Sequence, residues 1–172
     1  MLYEPWAIAR RDAVPKIDIE TAPLAAGTDY PPEFAASALG RRRFRLGDAA
    51  GLDQFGVNLL HLPDGAASSL RHWHTAEDEF VWVVSGEVVL VENEGETILR
   101  AGDCAGFKAG VANGHHFQNR SDQDVLLLEI GSRRPDQDGC DYPDIDLILR
   151  DGEGVYRHRD GTPYDTDEGR KR

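Results

Sequence analysis

The chain has 172 residues, 31 acidic and 19 basic, for a formal charge of -12, and 40% of it is hydrophobic. That length and apolar share suit one domain with one core. The acidic excess would repel a phosphate backbone over most of the surface, which argues against a nucleic-acid partner.

Residues 1–40 hold most of the prolines, with small residues between them ("TAPLAAGTDYPPEFAASALG"), and predict an irregular N-terminal arm with at most one short helix. The start, "MLYEPWAIARRDAVPKIDIE", shows neither a basic cap before an apolar run nor an arginine-rich amphipathic stretch. No later run approaches the roughly 18 apolar residues that cross a bilayer. The expectation is a cytoplasmic protein with no membrane partner. Cys104 and Cys140 are too few and too far apart for a disulfide scaffold and agree with a reducing compartment, with a bridge between them left open.

From residue 41 the texture changes to short runs of Val, Ile, Leu, Phe and Trp separated by turn signals such as "PDG", "SGE" and "RAGD". Candidate strands are 41–47, 55–62, 68–74, 79–84, 87–92, 96–100, 104–107, 115–119 and 123–130. In "RRRFR" Arg41, Arg43 and Arg45 share one face and Phe44 takes the other, as in a charged edge strand. No window between 41 and 131 has helical periodicity, so residues 41–150 read as an all-β sandwich or barrel, with 141–151 adding an edge strand. The polar tail, 151–172, is held only if Tyr156 and Tyr164 anchor it.

The stretch "RHWHTAEDEFVWVVSGE" carries the chemistry. On a strand His72 and His74 face the same side about 6.7 Å apart, with Trp73 on the other. Two imidazoles at that separation can tilt toward one ion, each nitrogen roughly 2.0 to 2.1 Å from it. "TAED" is long enough to turn the chain and bring Glu79 opposite the histidines, with Val81 and Val83 on its face. A carboxylate and imidazoles suit Fe(II), Mn(II), Ni(II) or Zn(II). In "GVANGHHFQN" His115 and His116 face opposite ways, so one of them can join the set. Three histidines and a glutamate would leave coordination positions open for water, substrate or dioxygen.

The arrangement resembles the cupin superfamily. Its first motif appears here as Gly65, six residues, His72, His74, four residues, Glu79, six residues and Gly86. The second appears as Gly102, five residues, Lys108, Ala109, Gly110, four residues, His115, three residues and Asn119. The match covers about residues 55–131, and it departs from the family by a longer spacing before His72, two extra residues before His115, and Lys108 in place of proline. The C-terminal "YPDIDL…DGTPY" is similar to single-domain cupins named after sugar-phosphate isomerases. The resemblance implies a double-stranded β-helix, or jelly roll, with one divalent metal on His72, His74, Glu79 and His115, His115 being preferred over His116 for its distance to Asn119. It also implies a homodimer and small-molecule chemistry at the metal, as a dioxygenase or an isomerase/lyase. The alternative is a binding module without turnover for a small ligand such as a sugar derivative. Lys108, Trp82 and Phe117 are candidate substrate contacts, and Glu77 or Asp78 could act as a base if burial raised its pKa.

Overall fold

Along "EFVWVVS" the side chains alternate as a half-buried strand requires: Val81 and Val83 are buried, while Phe80, Trp82 and Val84 point outward. The structure, a computed structural model, describes residues 16–150 and 152–164. Its strands are β1 (Leu24–Ala26), β2 (Arg42–Arg45), β3 (Phe55–Leu62), β4 (Trp73–His74), β5 (Glu79–Ser85), β6 (Glu87–Glu92), β7 (Gly95–Arg100), β8 (Cys104–Phe107), β9 (His116–Gln118), β10 (Val125–Ser132), β11 (Cys140–Tyr142), β12 (Leu147–Leu149) and β13 (Tyr156–Arg157). They form a six-stranded sheet ordered β1-β2-β3-β10-β5-β8, a four-stranded sheet ordered β13-β12-β11-β4 and a three-stranded sheet ordered β7-β6-β9. Every registered pair is antiparallel, the pattern of a jelly roll.

The main core joins inward residues of the six-stranded sheet (Leu60, Leu62, Val81, Val83, Leu127) to Val88, Leu90 and Phe117 of the three-stranded sheet. Each fully buried aliphatic side chain there contributes about 1.5 to 3 kcal/mol relative to exposure. A second cluster, with Tyr30, Ala38, Cys140, Tyr142, Leu147 and Tyr164, packs both flanking segments against the four-stranded sheet. The turn from β5 into β6 needs glycine: Gly86 has φ +85°, and a Cβ there would meet Val125 Cγ2 at 2.9 Å.

Several expectations are corrected. Residues 16–40 hold three single 3-10 turns and strand β1, where at most one helix is expected, and residues 1–15 lie outside the described part. "RRRFR" is not an edge, because β2 lies between β1 and β3, and Arg43 pairs with Glu129 at 2.6 Å. A one-turn helix, α1 (Leu46–Ala49), follows it. The expected strand 68–74 is regular only at β4, and 141–151 divides into β11 and β12. Tyr164 is buried and Tyr156 packs beside it in the second cluster, so residues 152–164 are anchored. Both cysteines are free, Cys104 exposed and Cys140 buried, so the bridge left open between them is not formed. Among the described residues no helix is long and apolar enough to cross a membrane.

Candidate metal centre

His74 is fixed by β4, and Glu79 opens β5 opposite Phe107 of β8. His72 and His115 lie outside the strands but face each other across a two-bond bridge, His72 N to His115 O at 3.2 Å and His115 N to His72 O at 2.9 Å. This bridge stitches the first histidine stretch to the second. The His72 ring centroid is then 5.0 Å from that of His74 and 5.4 Å from that of His115. Glu79 Oε2 sits 2.8 Å from His115 Nε2 and 3.7 Å from His74 Nε2.

The outer nitrogen of each ring is occupied. His72 Nδ1 donates to Leu70 O at 2.9 Å, His74 Nδ1 to Asp138 Oδ2 at 2.6 Å and His115 Nδ1 to Asn113 O at 3.2 Å. Carbonyls and carboxylates only accept, so each neutral ring carries its hydrogen on Nδ1 and offers the Nε2 lone pair. At His74 and His115 that lone pair faces Glu79 Oε2, and an acceptor facing an acceptor calls for a proton or a cation between them. Outer-atom hydrogen bonds of this kind orient histidines around metals, so the donor set fits a divalent ion. His72, His74, Glu79 and His115 would hold it.

The electrostatics agree with one compact ionic cluster. Burial holds His72 down at about 4. His74 would also be depressed by burial, but the Asp138 hydrogen bond and nearby negative groups push it up to about 11. Glu79 is likewise disfavoured as an anion by burial, yet the His115 bond and the neighbouring imidazoles bring it down to about 2. Two tighter donor groups overlap the site, His72 with His74 and Cys140, and His74 with Glu77 and Asp138. Cys140 Sγ is 3.3 Å from His74 Nδ1 and 3.8 Å from Nε2, so it lies nearer the outer atom of that ring.

Beside the donors is a cavity of about 220 Å³ whose wall includes Trp73, Glu77, Phe107, Lys108 and Asn113 together with His74, Glu79 and His115. Phe107 stacks flat on His115 with centroids 3.5 Å apart. Trp73 is on this wall although the alternation of β4 predicts that it points away. Glu77 is half-buried with a pKa raised, chiefly by burial, and Asp78 is exposed with its Oδ1 accepting from Ala109 N. Of the three expected substrate contacts, Lys108 alone lines the cavity. Trp82 lies on the outward face of β5, because it is one residue out of phase with Val81 and Val83. Phe117 is 3% exposed inside the main core. His116 turns away from the donors, giving Nδ1 to Ser69 O at 2.9 Å. Asp138 is absent from the sequence reading; it comes from a loop 59 residues after Glu79, and no local pattern ties it to His74.

Residues 58–131 match the cupin domain family. A sugar phosphate isomerase from Silicibacter pomeroyi, of the cupin superfamily, is 44% identical over 89% of this chain and 98% of its own, with a TM-score of 0.82. The chain belongs to the cupin superfamily. This cupin is also similar to a protein from Acidithiobacillus ferrooxidans that carries the same sugar phosphate isomerase name, at 31% identity over 77% of this chain and 80% of that one, with a TM-score of 0.64. An RmlC-like cupin from Shewanella frigidimarina, 14% identical over 67% of this chain and 86% of its own with a TM-score of 0.50, shares the fold. No curated protein matches the chain.

Proposed function

We propose that this cupin is a metal-dependent isomerase or lyase of small phosphorylated or carboxylated hydroxycarbonyl compounds, with His72, His74, Glu79 and His115 as metal ligands. The observation that carries the reading is the placement of one half-buried carboxyl with a raised pKa, Glu77, and one ammonium, Lys108, on the wall of the cavity that His74, Glu79 and His115 also line. The two relatives named for sugar phosphate isomerisation point the same way.

A divalent metal, when bound, supplies Lewis-acid polarisation of a substrate carbonyl. The chain's own residues do the rest. Lys108 attracts the phosphate or carboxylate at the mouth as a point charge. Phe107 and Trp73 give the carbon skeleton an apolar wall and thin the water around it. Glu77 takes the proton from the hydroxyl-bearing carbon beside the carbonyl and returns it to the former carbonyl carbon, while the hydroxyl proton passes to the former carbonyl oxygen, a transfer favoured when a carboxyl's pKa is lifted toward the working pH. Asp138 holds His74 in the tautomer that leaves Nε2 free.

The reading extends to a cytoplasmic location, which two free thiols support, and to a homodimer. Its test is proton exchange: metal-loaded protein with aldose or ketose phosphates in deuterated water, followed by NMR at the carbon beside the carbonyl. Exchange that requires metal and falls at least about a hundredfold in Glu77→Gln with metal content unchanged is the expected result. Oxygen uptake without exchange would replace it with a dioxygenase, and metal binding without turnover of either kind with a binding module.

A further inference from the structure

The inner face of the six-stranded sheet changes character along its strands. Its registered neighbours form three inward rows: Arg43, Leu60, Leu127 and Val83; then Asn58, Glu129 and Val81; then Gly56, Gly131, Glu79 and Phe107. Leu60, Leu127 and Val83 are wholly buried, whereas the side chains of Arg43 and Glu79 are 26% and 28% exposed. Apolar packing thus closes the barrel at one end of this face and gives way toward Glu79. Phe107, on one side of Glu79, belongs to the cavity beside the donors. On the other side is Gly131, where a Cβ would meet only Asp78 O at 3.3 Å and Glu79 Cγ at 3.9 Å, so no atom of the facing sheet comes within 4 Å of that point. Gly131 has no positive φ, so its backbone does not call for glycine. A glycine inside a strand then marks the close approach of another group.

Polar groups with spare hydrogen-bonding capacity border this recess. The half-buried Asn58 carboxamide has no hydrogen-bond partner among the described residues. Arg43 donates Nε to Glu129 at 2.6 Å and Nη2 at 2.9 Å, which fixes both side chains and directs the two Nη1 hydrogens away from that carboxylate. Burial opposes the charge on Arg43, but Glu129, and after it Tyr30 and Glu79, raise its pKa, which places both of the latter near the guanidinium. From Glu79 to Asn58 the sheet crosses two strand spacings and two residues, about 12 Å between Cα atoms.

We infer that this recess binds the hydroxylated tail of the substrate, with Asn58, Arg43 and Glu129 selecting it, so that the substrate carries its anionic group next to the carbonyl and its hydroxyls beyond. The inference rests on the proposed function and narrows its substrate class to compounds built like a ketose 1-phosphate. The order follows from the strands. Along β8, β5, β10 and β3 stand Lys108 just past the end of β8, then Glu79 among the donors, then the gap over Gly131, then Glu129 and Asn58. Charge argues against a second anion in the recess, because Glu129 neutralises Arg43 and Glu79 adds a negative charge at its end. An amide, two free N–H groups and carboxylate lone pairs set donors beside acceptors, and a hydroxyl uses both. The 12 Å or so, less the reach of the Asn58 and Glu79 side chains, leaves room for a tail of about three or four carbons.

The experiment is calorimetric titration of the zinc-loaded full chain with fructose 1-phosphate, fructose 6-phosphate and dihydroxyacetone phosphate, for wild type, Asn58→Ala and Lys108→Ala. Circular dichroism and metal content serve as controls. Fructose 1-phosphate and dihydroxyacetone phosphate share a phosphate next to the carbonyl and differ in the hydroxylated tail. The expected result is that wild type binds fructose 1-phosphate at least about tenfold more tightly than either of the others. Asn58→Ala should cut the preference over dihydroxyacetone phosphate to less than about threefold while leaving the affinity for that short ligand unchanged, and Lys108→Ala should weaken both by the same factor. Equal affinities for the long and short 1-phosphates, or a preference that survives Asn58→Ala, would overturn the recess alone, since proton exchange on dihydroxyacetone phosphate tests the proposed function without a tail. Fructose 6-phosphate bound as tightly as fructose 1-phosphate would overturn the order of groups. Binding of none of the three would overturn the inference together with the phosphorylated substrates of the proposed function.

Discussion

Asp138→Asn tests the carboxylate contact that sets the proton on His74. Asp138 uses both carboxylate oxygens: Oδ2 accepts from His74 Nδ1 at 2.6 Å, and Oδ1 accepts from Ala76 N at 2.9 Å and Glu77 N at 3.1 Å. Asparagine has one acceptor oxygen. If that oxygen stays with the two loop amides, the new NH2 group faces Nδ1, and the ring satisfies it only by moving its hydrogen to Nε2, the atom that must be free for a metal. Turning the amide round restores His74 and leaves two backbone donors without their acceptor. Losses of a histidine's outer carboxylate typically weaken metal binding 10- to 100-fold, or about 1.4 to 2.7 kcal/mol. Zinc affinity measured by competition with a chromophoric chelator should fall by that factor, with melting of the metal-free protein as the control for folding. On a His74→Ala background Asp138→Asn should add nothing, because Asp138 acts through that ring. Zinc affinity within threefold of wild type in Asp138→Asn alone would refute the reasoning.

Leu127→Ala, at a wholly buried position between the two facing sheets, should cost about 3 to 5 kcal/mol in denaturant unfolding. Gly86→Ala should cost more than about 1 kcal/mol, because φ +85° disfavours a side chain and Val125 blocks its Cβ; equal midpoints for the two proteins would contradict the turn geometry. Arg43→Ala should lower stability by about 2 kcal/mol by stranding the Glu129 carboxylate, which accepts both Nε and Nη2, and Glu129→Gln in the same variant should recover part of the loss. Dialysis against a strong chelator should strip the metal and lower the melting temperature, and excess zinc should restore it in wild type while failing to do so in a His72→Ala/His115→Ala variant.

The strands most legible in the sequence were those with one face in the core. "EFVWVVS" and "EVVLVE" carry their burial pattern in their alternation, and β5 and β6 fall within a residue of it. Legibility failed where position depends on a partner distant in the chain. "RRRFR" has the look of an edge strand because nothing local announces that β1 will pair outside it. Residues 68–72 look like strand, but Arg41 reaches Ser68 O and the Ser68 hydroxyl accepts from Phe117 N, contacts that hold them irregular. Trp82 fails for a different reason. Its size suggests a cavity wall, but phase on the strand decides its side, and sheet order decides whether that side is solvent or a partner.

The extra residues before His115 leave its ring beside Glu79 in spite of the altered motif. Spacing fixes a ligand only when the intervening loop has nothing else to hold it, and here the loop is tied at several points. Asn93 N donates to Asn113 Oδ1 at 3.1 Å, Asn93 Nδ2 to Ala112 O at 2.9 Å, and Asn113 Nδ2 to Glu92 Oε1 at 2.7 Å. Gly114 then passes so close to Pro143 that a Cβ would lie 2.7 Å from its Cγ. From there the pair of backbone bonds to His72 sets the height of His115, and Phe107 sets the plane of its ring. The added length is absorbed against the β6–β7 turn, on the far side of these constraints from the ring. The geometry of the centre is thus specified by hydrogen bonds that close around the loop, and the number of residues in the loop can change without moving the nitrogen that faces Glu79.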